Sequence, residues 1–271
     1  MSQFDYRHIF IKHKKIDRIG LTITLKFFTM RLTPDPHSPC ILHHFKGNPM
    51  STQTKQTFLI GLIAGSVWAF SEVVLGALLR TAILPMRGTL LTGIGAGILF
   101  TGFGYSRQVR VVALAVLTAV IARIVFASSF GSGISVTNGS LAVLITGIMM
   151  ISSVWILKRQ PAPHNLTIGL IAAVAVLCSG TLFQIIGIRY DPCPYLLRFT
   201  ALTFFLRETI LWAALSGLAA PLGFQAGKVL SRYPNRITAK SLPAWGIILG
   251  CWICCGLTVL LTSSSNESCG Y

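Results

Sequence analysis

Residues 58–79 read FLIGLIAGSVWAFSEVVLGALL, an apolar run of 22 residues interrupted by a single charge, Glu72. At 1.5 Å of rise per residue such a run reaches about 33 Å as a helix, enough for a hydrocarbon core of about 30 Å. Six further apolar segments follow, at about 88–105, 111–128, 139–157, 166–187, 200–223 and 244–262. In hydrocarbon every backbone amide must be satisfied within its own segment, so these read as helices. The fold expected is all-α: a polytopic transmembrane helical bundle of six or seven spans. The second segment is the marginal one, because it is rich in glycine and would also fit a tight hairpin with the first.

Composition agrees. The chain has 271 residues, 53% hydrophobic and 11% charged, where soluble domains carry roughly 25% charged residues. Its mean hydropathy is +0.69. A soluble enzyme, a disulfide-rich secreted module and a disordered chain are excluded. There are 23 Lys and Arg against 7 Asp and Glu, a formal net charge of +16. These bases sit in the N-terminal stretch and between apolar runs, with no basic stripe alternating with aromatics, so nucleic acid is not expected as a partner.

Their distribution sets orientation instead. Lys55, Arg107, Arg110, Lys158, Arg159, Lys228, Arg232, Arg236 and Lys240 fall on one side, and Arg80, Arg87, Arg189 and Arg198 on the other. By the positive-inside rule the N-terminus lies in the cytoplasm and the C-terminus outside, as expected for a multi-pass protein of a bacterial inner membrane. Three regions follow: a basic stretch 1–49, a transmembrane domain 50–262 and a short external tail 263–271. The stretch 1–49 admits two readings, a disordered cytoplasmic tail or translation that starts at Met30 or Met50. Its five histidines show no recurring metal-ligand spacing.

Ionisable groups inside the spans are expensive and mark candidate sites. They are Glu72, Arg123, Arg207 and Glu208. Counting at 1.5 Å per residue puts Glu72, Arg123 and Glu208 about 10, 7 and 13 Å below the outer boundary, a similar depth from three helices. The expected site is an outward-opening pocket for a small polar or anionic solute, lined by Glu72, Arg123, Arg207 and Glu208, with Arg87 on a lid formed by the 83–88 connector. The loop 189–195, stiffened by Pro192 and Pro194, is a second lid candidate. The bland alternative is that these charges pair and fix helix packing.

Gly61, Gly65 and Ala69 recur at four-residue steps and form a small-residue stripe along the first span, suited to close packing within the chain or to docking of another membrane subunit. Gly93 and Gly97 repeat the pattern. Cys251, Cys254 and Cys255 lack the second pair a four-ligand metal site needs, while Cys193 and Cys269 would both face outside and could form a disulfide. No phosphate-binding loop, metalloprotease helix, nucleophile elbow or dinucleotide fingerprint is present, so neither an enzyme nor a cofactor is expected.

From Gly61 to about Gly104 the chain resembles the substrate-binding S components of energy-coupling-factor vitamin transporters. The resemblance rests on the Gly61, Gly65, Ala69 stripe, the charged outer end and the Leu84-Pro85-Met86-Arg87-Gly88 connector, about 45 residues in all. It implies capture of a small solute from outside, docking of the stripe on a transmembrane coupling subunit, and ATP hydrolysis by separate subunits. That family generally has six spans, with alanines in the stripe. The expected function is therefore solute binding for transport, with two alternatives: a structural or assembly protein with internally paired charges, or a membrane enzyme acting on lipid or quinone.

Overall fold

The computed structural model describes residues 52–82, 87–128, 133–190, 200–232 and 242–267, all within the unit Met50–Tyr271. The 1–49 stretch, the 83–86 part of the connector, the 191–199 loop with Cys193, and Cys269 lie outside the described residues.

Helix α1 runs Thr52–Phe70, passes through a π-helical turn at Ser71–Leu75 and ends with Gly76–Thr81. Helices α2 (Arg87–Ser106), α3 (Val109–Ser128), α4 (Gly133–Lys158) and α5 (Asn165–Tyr190) follow. Helix α6 comprises Ala201–Phe204, a second π-helical turn at Phe205–Thr209, and Ile210–Ser231. The last helix, α7, is Leu242–Glu267. All seven are long and apolar enough to cross a membrane, and the protein is an integral membrane helical bundle. Among the described residues there is no strand. Large apolar side chains such as Leu166, Leu222 and Leu260 are mostly exposed, which water would penalise and lipid accepts.

Helix neighbours close a ring: α1 packs on α3, α3 on α4, α4 on α5, α5 on α6, α6 on α2, and α2 on α1. Helix α7 stands outside, against α1 and its π turn. Only 22% of its spanning window is buried, against 39–50% for the others. A hydrogen bond from Trp252 Nε1 to Ser66 Oγ, 3.1 Å, ties it to α1.

Glycine positions set the register. Lipid offers no hydrophobic drive for one apolar helix to join another, so close packing of small residues carries much of the association. Helices α2 and α6 run antiparallel with Gly97 against Gly223, Gly104 against the Phe224 carbonyl and Gly227 against the Thr101 carbonyl. A Cβ at Gly223 or Gly227 would collide with backbone, which cannot rotate away. This explains why the glycine-rich second segment is a full helix: its glycines are the surface that lets α6 approach. In α6, Pro221 cannot donate to the Gly217 carbonyl, and that carbonyl lies against Gly169 of α5.

The small-residue stripe packs within the chain, the first of its two expected uses. Leu114 packs against Gly61, Ala115 and Thr118 pack against Gly65, and Ala69 is 2% exposed. Helix α3 of the same chain covers Gly61 and Gly65, and Ala69 is buried within the bundle.

The alternating helices leave two groups of ends. One, the connector end, carries the tight 107–108 and 159–164 connections. The other, the far end, carries both π turns and the residues flanking 83–86, 129–132 and 191–199.

Candidate functional site

At the far end, a cavity of about 90 Å³ is lined from four helices: Trp68 and Glu72 of α1, Gly88, Leu91 and Thr92 of α2, Gly139, Ala142, Val143 and Thr146 of α4, and Trp212 of α6. Trp68 and Glu72 are four residues apart and therefore share a helix face. Two glycines admit the indoles. A Cβ at Gly95 would stand 2.5 Å from Trp68 Nε1, and one at Gly88 would stand 3.1 Å from the Trp212 ring. Phe183 (6.4 Å) and Phe204 (5.8 Å, edge-on) hold the Trp212 ring between them.

Glu72 sits in the α1 π turn. A π turn displaces the regular i→i−4 ladder and loosens its carbonyls. The Gly76 N–H that closes this turn points to the Ser71 and Val73 carbonyls. The Glu72 carbonyl is met from another helix: Arg123 Nη1 of α3 donates to it at 3.0 Å. The same guanidinium acts electrostatically on the Glu72 carboxyl group. Gly139 of α4 leaves the space that Arg123 fills. Arg123 therefore completes the backbone of the π turn and places a positive charge near the Glu72 carboxyl group.

The polar inventory is lopsided. Among the described residues, eight buried side-chain atoms have no hydrogen-bond partner: Trp68 Nε1, Thr89 Oγ1, Arg123 Nε, Ser140 Oγ, Gln184 Nε2, Thr209 Oγ1, Trp212 Nε1 and Ser216 Oγ. They come from all six ring helices, and each lies at or beyond its helix midpoint toward the far end. Trp68 Nε1 approaches the Glu72 carboxyl without reaching hydrogen-bond geometry. A buried donor left unpaired costs about 1–3 kcal/mol. Of the eight, Trp68 and Trp212 belong to residues that line the cavity. The two threonines in the wall already donate elsewhere, Thr92 Oγ1 to the Gly88 carbonyl at 2.8 Å and Thr146 Oγ1 to Ser179 Oγ at 3.4 Å.

Of the candidates named from sequence, Glu72 lines the cavity and Arg123 braces it from behind. Glu208 is buried in the α6 π turn but is not among the lining residues, and Arg207, beside it, is exposed on the outer surface of the bundle. Adjacent positions on a helix point about 100° apart, so one of the two must turn away from the core. Arg207 can extend toward headgroups from there. Arg87 opens α2 next to Gly88, and its side chain lies outside the described residues. Sequence reasoning missed Trp68 and Trp212, although a signal existed. Trp68 precedes Glu72 by four residues, and Trp212 follows Glu208 by four. On antiparallel helices this mirrored spacing puts each tryptophan one turn deeper than its glutamate, and both glutamates fall in π turns.

The cysteines of α7 form no site. Cys255 is buried, Cys254 is exposed, and no group of three or more His, Cys, Asp or Glu is placed to hold a metal among the described residues. Comparisons of the chain with protein-family models, with curated proteins and with solved structures find no match, so the functional reading rests on the geometry above.

Proposed function

We propose that this membrane protein captures a small polar solute in the far-end cavity as the binding step of transport. The observation that carries the reading is the convergence of Glu72 and the side chains of Trp68 and Trp212 from two helices on one cavity in the apolar part of the bundle. Intramembrane ionisable groups that face a cavity mark solute or ion pathways. The bases at the connector end (Lys55, Arg107, Arg110, Lys158, Arg159 and Lys228) favour placing that end in the cytoplasm, so the cavity would load from outside.

A substrate-binding subunit of an ATP-driven importer is the finer form of this reading. Its support is the closed six-helix ring with α7 outside it, which matches the six spans of S components. A coupling subunit would have to dock somewhere other than Gly61, Gly65 and Ala69. The competing reading, a structural protein with paired charges, is favoured by one observation, the bond from Arg123 to the Glu72 backbone.

Glu72→Gln separates the two. It preserves shape and removes the charge. Under solute capture, the purified variant melts close to wild type yet loses the small molecule that co-purifies with wild-type protein, as read by mass spectrometry of a denatured preparation. Under the structural reading, Glu72→Gln lowers the melting temperature and wild type carries no solute.

A further inference from the structure

We propose that the connector end, opposite the cavity, holds the phosphate of an anionic phospholipid between Arg107 and Lys228.

Backbone contact brings the two cations together. Gly104 of α2 and Gly227 of α6 let these helices touch: a Cβ at Gly104 would meet the Phe224 carbonyl, and one at Gly227 the Thr101 carbonyl. Arg107 follows the end of α2, and Lys228 lies in the last turn of α6. Both are half-buried against one ring. The Arg107 guanidinium carbon is 4.7 Å from the centre of Phe224, and Lys228 Nζ is 4.9 Å from it. Arg107 reaches this place in a left-handed backbone conformation, φ 56°, that long side chains rarely adopt. Its hydrogen bond to the Pro161 carbonyl, 3.3 Å, fixes the guanidinium against the α4–α5 connection.

No acid of the surrounding sequence neutralises the pair. The stretches that make up this end, 50–57, 106–110, 158–165 and 228–243, contain no Asp or Glu. The acids among the described residues, Glu72, Glu208 and Glu267, belong to the far end. A ring face attracts a cation but carries no net charge. Two like charges held at one ring therefore repel until an anion joins them. A base near the last turn of a helix complements its dipole, which accounts for one cation per helix and not for two on one ring.

The setting favours a lipid phosphate over a dissolved anion. Beside Lys228, Val229 and Leu230 are exposed on α6, an apolar surface on which acyl chains can lie. Trp155 is exposed near the end of α4, with the Arg159 guanidinium carbon 3.7 Å from its ring. Tryptophan at such a position marks the headgroup level, and Arg159 is two residues from the Pro161 that anchors Arg107. The lipid must be anionic, because a zwitterionic headgroup brings its own ammonium to a place already crowded with cations.

The test uses purified full-length protein in nonionic detergent, with dioleoylphosphatidylglycerol and dioleoylphosphatidylcholine as probes and retained lipid read by native mass spectrometry. Two charge-matched double variants are compared: Arg107→Gln with Lys228→Gln, and Lys55→Gln with Arg110→Gln as the control at the same end. Each base near a membrane surface is worth about fivefold, so wild type should retain phosphatidylglycerol at least about tenfold better than phosphatidylcholine. The first pair should abolish that preference and the control pair should keep most of it. Equal losses in the two pairs overturn the site, because a diffuse basic field then does the selecting. So does a preference that survives the first pair, or its absence from wild type. A melting shift with inorganic phosphate as large as with phosphatidylglycerol overturns the lipid as occupant. If the first pair does not fold, Lys228→Gln alone should lower the preference about fivefold and Lys55→Gln should not; equal effects overturn the proposal.

Discussion

Among the described residues, buried polar side chains are paired at the connector end of the ring, while at the far end several are not. Gln56 Nε2 donates to Tyr105 Oη at 3.2 Å and Thr57 Oγ1 to Gln108 Oε1 at 3.1 Å, which fastens α1 to the α2–α3 connection. Arg107, in the left-handed region at φ 56°, lies 4.7 Å above the Phe224 ring and donates to the Pro161 carbonyl at 3.3 Å. Lys228 Nζ stands 4.9 Å from the same ring. Beneath them Phe100, Phe103, Phe224, Met150 and Leu157 are fully buried. The far end has instead two π turns, the unpaired donors and a cavity. The contrast teaches that the two ends differ in how their buried polar groups are satisfied: paired at one end, partly unpaired at the other.

The largest expected effect falls on the one strong brace of the far end. Arg123→Ala strands both the Glu72 carbonyl and its carboxylate. It should destabilise by about 3–5 kcal/mol, measured by thermal unfolding in detergent, with Arg123→Lys recovering part of the loss. A variant as stable as wild type would show that the far end is not organised around Glu72.

Glycine substitutions then sharpen the difference between the ends. Gly223→Ala drives a Cβ into the Gly97 carbonyl and should cost about 1–3 kcal/mol. At Gly76, beyond the α1 π turn, the nearest atom to an added Cβ is Leu91 Cδ1 at an ordinary 3.5 Å. Gly76→Ala should therefore stabilise by up to about 1 kcal/mol through helix propensity. Equal effects at the two positions would erase the distinction in packing.

Tryptophans probe pairing directly. Trp252 Nε1 is hydrogen-bonded and Trp212 Nε1 is not. Trp252→Phe should lose about 1 kcal/mol more than Trp212→Phe, the net worth of one hydrogen bond, as read from denaturation midpoints. Smallest of all, Arg107→Gly relieves a left-handed backbone worth about 1–2 kcal/mol while giving up cation–π contacts worth about 0.5–1 kcal/mol each. Its melting temperature should stay close to wild type.

Much of the architecture is legible in residue order, because a span depends only on local hydropathy and on backbone groups that have no water to turn to. Residues 58–79 announce a membrane helix without reference to any neighbour. The candidate site was legible only in part. Glu72 and Arg123 stand out because charge is rare in such segments, and the structure joins them. Arg207 and Glu208 stand out equally, yet one faces outward and neither lines the cavity. Facing depends on helix rotation, and α6 passes through a π turn at that point, which shifts the phase of every residue beyond it. Trp68 and Trp212 pass as ordinary apolar residues in sequence. Their importance comes from packing, which brings both indole side chains into the wall of one cavity and leaves both N–H groups unpaired.

The sequence by itself determined a helical membrane bundle of six or seven spans, the distribution of its basic residues between the two loop sets and the presence of costly charge inside the spans, since each follows from short-range composition. Tertiary structure alone decided that α3 covers the small-residue stripe, that α7 stands outside the ring, and that one carboxylate and two indoles meet in a cavity. Those outcomes turn on which helix faces approach one another, and that is set by steric fit between residues distant in the chain.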